Sequence, residues 1–450
     1  MQDTVWEIMS PREWSYIAGT INAIVWILVF IYYRIKRSRW GLTHTILLLY
    51  SSIAVSSLHL FIYYPFSDQR FEEITILPYI YLFVMIMLPL YPIIKLESNL
   101  IYSIRKPRKT LFYLVCLSLI FLSFYHIDEI FENMINGIFM LFVDSDAGLL
   151  AYQKGVAKFT TDMSSGDLNK NVDYLSVLAN LSRTIVPVFW LYYLSLEGKN
   201  KYIFILLTIC TLLSPLNSVA SGSRYGIVVF IVETTTVFLF MKNFLSQKKQ
   251  ITVKQISSIA LVILIVPFFL VTISRNSGDL RNTLYGMERY FSESFINFNN
   301  HGLDAGGIRY GDRTMPLFKM LVGFDTAKNY PERIWKYRNM TIDESVFISY
   351  VGDFTLDFGP VFSFVLFLLI AIYFRNRLIV RNKELLFHQY ILLYVLVKIN
   401  LGFFLYLFAD VFGNVQLLSL MMIYWIFKLD YQMYKRKSIC CTSSIKIMTS

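Results

Sequence analysis

Long apolar runs dominate the chain, separated by short polar breaks. A helix that crosses a bilayer needs roughly 17–25 predominantly apolar residues. Runs of that length fall at about 15–33, 42–64, 74–96, 110–127, 173–196, 201–220, 225–245, 256–273, a less regular 345–374, 388–408 and 414–429. They are continuous rather than alternating, which predicts helices and excludes a membrane barrel. The pattern predicts an all-α polytopic integral membrane protein of about eleven transmembrane helices. Composition agrees, with 56% apolar and only 16% charged residues in 450, against about 45–50% and 25% in soluble domains. A soluble enzyme, a secreted disulfide scaffold and a disordered chain are excluded.

The formal charge of +11 would suggest nucleic acid in a soluble chain, but its distribution gives it another meaning. More than half of the 42 lysines and arginines lie in every second connection and in the C-terminal tail, around Arg34–Arg39, Lys95–Lys109, Lys199–Lys201, Lys242–Lys254, Arg375–Lys383 and Lys428–Lys446. Only Glu97, Glu197, Glu384 and Asp430 accompany them. The positive-inside bias puts these connections in the cytoplasm, with the N-terminus outside and the C-terminus cytoplasmic. The charge reports topology, and no nucleic-acid partner is implied. Asp3, Glu7 and Glu13 stand where a signal peptide would be basic, so no cleavable signal is expected. Cys116 and Cys210 sit in spans and Cys440 and Cys441 on the reducing side, so no disulfide is expected.

The chain then divides into a transmembrane bundle over 1–274 with about eight spans, a large outside loop over 275–343, and about three further spans with a short tail over 344–450. Loops of that length are often functional. This one carries arginines against the topology rule, among them Arg289 and Arg313, together with the lone His301 and many aromatics. A solvated mixed-charge domain accounts for many such residues. The guanidinium fork also pairs bidentately with phosphate, and interleaved aromatics can stack on sugars.

Charges inside spans are expensive. Arg183, Glu233 and Lys398 lie at similar depths in theirs and are read as an intramembrane charge cluster, either a packing device or a functional one. Asp353 and Asp357 fall in a stretch interrupted by Gly352, Gly359 and Pro360. Proline is tolerated in a helix's first turn, so the span is expected to begin near Pro360 with the preceding segment dipping along the outer face. Both carboxylates are then expected to face the outer leaflet, as a general base or, for Asp357, a helix cap. Gly222 and Arg224, in a turn between two spans, offer a tight connection, backbone amides and a positive charge for an anion. No phosphate-binding loop, zinc-protease motif, nucleophile elbow or Cys/His cluster is present, so no metal or cofactor is expected.

Three stretches resemble the bacterial O-antigen and capsule repeat-unit polymerases. They are Ser221-Gly222-Ser223-Arg224-Tyr225-Gly226, Glu288-Arg289-Tyr290-Phe291 followed by Phe295-Ile296-Asn297-Phe298-Asn299, and the run from Gly352 to Pro360. The resemblance covers the order of elements over roughly 200–375. Residues 340–359 lack the histidine that related enzymes often carry there. The resemblance implies a glycosyltransferase of the bacterial cytoplasmic (inner) membrane, independent of metal and nucleotide. It would join undecaprenyl-diphosphate-linked oligosaccharide repeat units at the outer face, together with a chain-length regulator protein. Arg224, Arg289 and Arg313, with Gly222, would hold the diphosphate and glycan, and Asp353, Asp357 or His301 would act as base. An O-antigen ligase shares nearly all these features, and a lipid-linked oligosaccharide flippase is the other alternative.

Overall fold

The computed structural model describes residues 10–37, 39–63, 71–97, 101–143, 174–198, 200–220, 225–255, 258, 280–327, 330–344, 346–380 and 382–448. These residues are mostly helical. Among the described residues eight helices are long and apolar enough to span a membrane, or nine if the bent pair Lys109–Ser123 and Ile127–Asn133 forms one span. That makes the chain a polytopic membrane protein. The expected run 256–273 lies, apart from residue 258, outside the described residues. The run at 388–408 is not one span: its helix, Phe387–Asn400, stops after 14 residues. The expected run 110–127 also breaks, bending by 48° after Ser123, where His126 turns left-handed with φ 52°.

The chain folds as two compact units that interleave along the sequence. The first comprises Met1–Ile94, Asp279–Tyr373 and Lys398–Asn414, and the second Lys95–Gly278, Phe374–Val397 and Val415–Ser450.

In the first unit, α1 (Pro11–Lys36) opens with a capping box in which the Ser10 side chain accepts from the Glu13 amide and Glu13 reaches back to Ser10. It packs on α2 (Leu42–Tyr63), and α2 packs on Leu280–His301. Trp26 stacks on Tyr50 at 5.2 Å, and Phe83 and Phe295 close round its ring. Helix α3 (Ile76–Glu97) carries Pro89 and Pro92, which thin its own hydrogen bonding. There the Asn400 amide donates to the Pro89 carbonyl at 3.2 Å.

The segment from residue 280 to 344 begins with a long helix. Leu280–His301 is an amphipathic helix too polar to span. Its buried polar residues fasten it down: Ser294 donates to the Phe403 carbonyl (2.7 Å), Asn297 to Phe347 (2.9 Å) and Asn299 to Thr75 (2.6 Å). Two short helices follow, Pro316–Val322 and Tyr330–Lys336.

The span Ser349–Arg377 is broken, as its glycine and proline predict. Gly359 has φ 75° and ψ 162°, a conformation essentially reserved for glycine. Pro360 has no N–H to give the carbonyl four residues back, that of Leu356. The Arg309 amide supplies it at 2.8 Å. Residues 401–409 are irregular, and other segments satisfy several of their polar groups, as irregular backbone buried in protein requires. The Ser349 amide donates to Phe404, the Tyr350 amide to Gly402, and the Tyr406 amide to the Asp353 carboxylate.

In the second unit, Lys109–Ser123 packs on Tyr174–Ser195, which packs on Lys201–Ala220, and that helix in turn on Tyr225–Met241. Phe112, Phe189, Tyr192 and Phe387 form its aromatic centre. Two three-residue strands, β1 (Ser103–Arg105) and β2 (Glu384–Leu386), pair in parallel with Ser103 opposite Glu384.

Candidate functional site

The first unit encloses a network of arginines and carboxylates. Arg309, 2% exposed, places one terminal nitrogen 2.6 Å from Glu344 and its Nε 2.9 Å from Asp357. Its other terminal nitrogen donates to the Asp353 carbonyl at 3.2 Å. Arg313 sets its Nε 3.1 Å from Asp353 and a terminal nitrogen 3.1 Å from the Glu344 carbonyl. Arg333 bridges Glu344 at 3.2 Å and Asp410 at 2.6 Å. Asp357 also accepts from the Thr314 amide and hydroxyl, both at 2.7 Å.

These residues come from three parts of the chain: the segment between residues 302 and 344, the first half of the broken helix, and the turn after 400. Asp353 and Asp357, one helical turn apart, present their carboxylates on one face. Burial alone would lower the charged state of every member, and mutual attraction opposes this. The arginines hold Glu344 down to about 2 against the upward push of burial. Arg309 and Arg313 are raised despite burial, chiefly by Asp357 and Asp353 respectively.

The expectation that Asp353 and Asp357 face the outer leaflet is corrected. Both are fully enclosed, because the segment between residues 302 and 344 supplies their partners, Arg309, Arg313 and Thr314. Arg313, expected to meet a diphosphate, is itself paired to these carboxylates. Arg289 forms a bidentate pair with Glu293 one turn on, at 2.7 and 3.0 Å, and remains nearly half exposed. His301 ends its helix half-buried, with Nδ1 3.1 Å from the Thr341 hydroxyl. Burial holds its imidazole below the usual range, against the pull of Glu72, and so favours the neutral form. Gly222 and Arg224 lie outside the described residues.

The three intramembrane charges divide between the units. Arg183 belongs to the second, where it donates to the carbonyls of Ser123 and Tyr125 and to Asn180. It caps the orphan carbonyls where the preceding helix breaks. Glu233, in the same unit, faces the Tyr394 hydroxyl. Lys398 belongs to the first unit, with its ammonium 5.4 Å from the Phe408 ring centre.

Two features were not singled out from sequence. Asp312, fully buried, binds Lys319 and accepts from Lys336 (2.9 Å), Tyr337 (2.6 Å) and the Ala327 amide (3.2 Å), which ties the two short helices together. Burial pushes its carboxyl up, but these donors hold it down to about 2. His59 meets Glu288 at 2.5 Å, with about half the imidazole exposed. The two are 229 positions apart, so no local spacing signals the pair. Around the network, Tyr310 and Trp335 are each 71% exposed, and Arg338 lies over the Trp335 ring at 5.4 Å. Among the described residues no group of three His, Cys, Asp or Glu is arranged to hold a metal. The chain matches no known family of proteins, no curated protein and no solved structure.

Proposed function

We propose that this membrane protein is an O-antigen polymerase that joins undecaprenyl-diphosphate-linked repeat units at the outer face of the bacterial cytoplasmic membrane. One observation carries the reading. Two of the stretches that resemble such polymerases, 288–299 and 352–360, fold into one unit although the chain between them is long, and the arginines between them lock onto the carboxylates of the second.

On this reading the acceptor sugar's hydroxyl oxygen bonds to the donor's anomeric carbon, and the bond from that carbon to the diphosphate breaks. The hydroxyl proton passes to a base, and undecaprenyl diphosphate leaves with the bonding electrons. His301 suits the base best, since a base must come within hydrogen-bond reach of the hydroxyl and the imidazole is half-open and neutral. Asp353 and Asp357 then act as positioning residues that hold Arg309 and Arg313. Arg224 and the exposed edge of Arg289 stabilise charge growing on the diphosphate, and Tyr310 and Trp335 offer faces to sugar rings.

The test is electrophoresis of surface polysaccharide from a strain lacking the gene, with and without its return. Collapse of the ladder to a single repeat unit, restored by the gene, is the expected result. Loss of every repeat unit from the acceptor would favour a ligase or flippase, and an unchanged ladder would overturn the glycan reading. His301→Gln, present in the membrane at normal level, should shorten or abolish the ladder. Arg224→Lys should shorten it if bidentate pairing matters.

A further inference from the structure

The parallel pair β1–β2 is too small to be stable by itself, yet it sets a particular group of side chains together in the second unit. Arg105 ends β1, and Lys106 and Arg108 follow it before Lys109 opens a helix. Leu386 ends β2, and Phe387 and His388 follow. These two corners face the segment Phe427–Tyr434, with which they enclose a cavity of about 320 Å³.

The lining is two-sided. Leu386, Phe387 and Phe427 make an apolar floor, with the two phenylalanines buried and edge to face at 4.7 Å. Arg105, Lys106 and Arg108 form an exposed cationic rim. The Arg105 guanidinium lies over the Tyr431 ring at 5.4 Å, which fixes its plane while its edges stay available. Asp430 is the one acid in the lining, 3.9 Å from Arg108, too far for a good hydrogen bond. The cavity also lies where the apolar stretch of a long helix gives way to charge: within Asp410–Met448 the stretch long and apolar enough to span is Asp410–Tyr434, Phe427–Tyr434 are its last turns, and Lys435, Arg436 and Lys437 follow. That is headgroup level, where basic pockets between helices take anionic lipid heads.

We infer that this cavity binds the phosphate group of an anionic amphiphile, with the phosphate between Arg105, Lys106 and Arg108 and the apolar part on Phe387 and Phe427. The inference does not rest on the polymerase reading. A phospholipid of the adjoining leaflet and a free phosphate share the recognising chemistry.

The test uses the full chain purified in neutral detergent, with binding read by native mass spectrometry. Phosphatidylglycerol, phosphatidylcholine and inorganic phosphate are titrated separately. A cation beside an anionic headgroup contributes roughly fivefold in affinity, so Arg105→Gln with Arg108→Gln should weaken phosphatidylglycerol binding by about 25-fold. Asp430→Asn removes the opposing charge and should strengthen it several-fold, a gain that a damaged fold would not produce. Inorganic phosphate bound with the same dependence on these residues, and phosphatidylglycerol not, would assign a soluble phosphate as the source. Equal binding of phosphatidylglycerol and phosphatidylcholine, or affinities indifferent to both variants, would overturn the inference.

Discussion

Arg309 concentrates the physical argument at the scale of single residues. Its side chain meets Glu344 and Asp357 while its own amide serves the broken helix. Removing one partner of a buried ion network strands the others, which costs about 3–5 kcal/mol. Glu344→Gln should therefore lower stability by about that much, seen as a large fall in thermal midpoint in detergent. Arg309→Lys should fall with it, since one ammonium cannot take the place of a fork. The same groups set a pH dependence. Glu344 and Asp312 are held down to about 2, below the value of about 4 they have unfolded. Their contribution is complete above that unfolded value and is lost as pH falls toward 2. Protease resistance of the 302–344 region should fall over that interval, and resistance unchanged down to pH 2 would remove the network's role. Sequence marked Arg313 because an arginine in a connection expected outside runs against the charge bias. It could not mark Arg309, Arg333 or Glu344 as partners, because ion pairs between distant positions leave no periodicity.

Among elements, the break in Ser349–Arg377 decides where the network can form. Gly359→Ala would place a side chain in a backbone region that only glycine occupies readily, costing about 1–3 kcal/mol. Pro360→Ala should cost much less, because the Leu356 carbonyl already has the Arg309 amide as donor. The contrast is measurable by thermal unfolding of the two variants, and equal effects would show that the break is not held by glycine. This break was legible because glycine and proline act locally. The helix Leu280–His301 was not, since serine and asparagine share its buried face with Phe295, Ile296 and Phe298, and their partners are backbone carbonyls elsewhere. The end of Phe387–Asn400 escaped notice for a related reason. Residues 401–409 are apolar enough to look like more span, and their irregular backbone survives only because other segments satisfy it.

For the whole molecule, hydrophobic periodicity gave the class, an all-helical membrane protein, and most of the spans. It overran at 388–408, where length and apolarity could not reveal an enclosed turn. The charge rule predicts that Tyr310 lies outside and Tyr102 inside, and both are well exposed. In a background with Cys440 and Cys441 replaced by serine, Tyr310→Cys should react with an impermeant maleimide in spheroplasts and Tyr102→Cys only after lysis. The reverse pattern would invert the orientation. The interleaving of the two units also bears on how the protein is made. The ribosome releases Arg309 about a hundred residues before Asp410, on the order of 5–20 s at ordinary elongation rates. During that interval the first unit lacks its closing turn, with the Tyr406 amide not yet available to Asp353. Reporter fusions that truncate the protein before residue 410 would accordingly sample an unfinished assembly, and their readout would describe insertion rather than the mature fold.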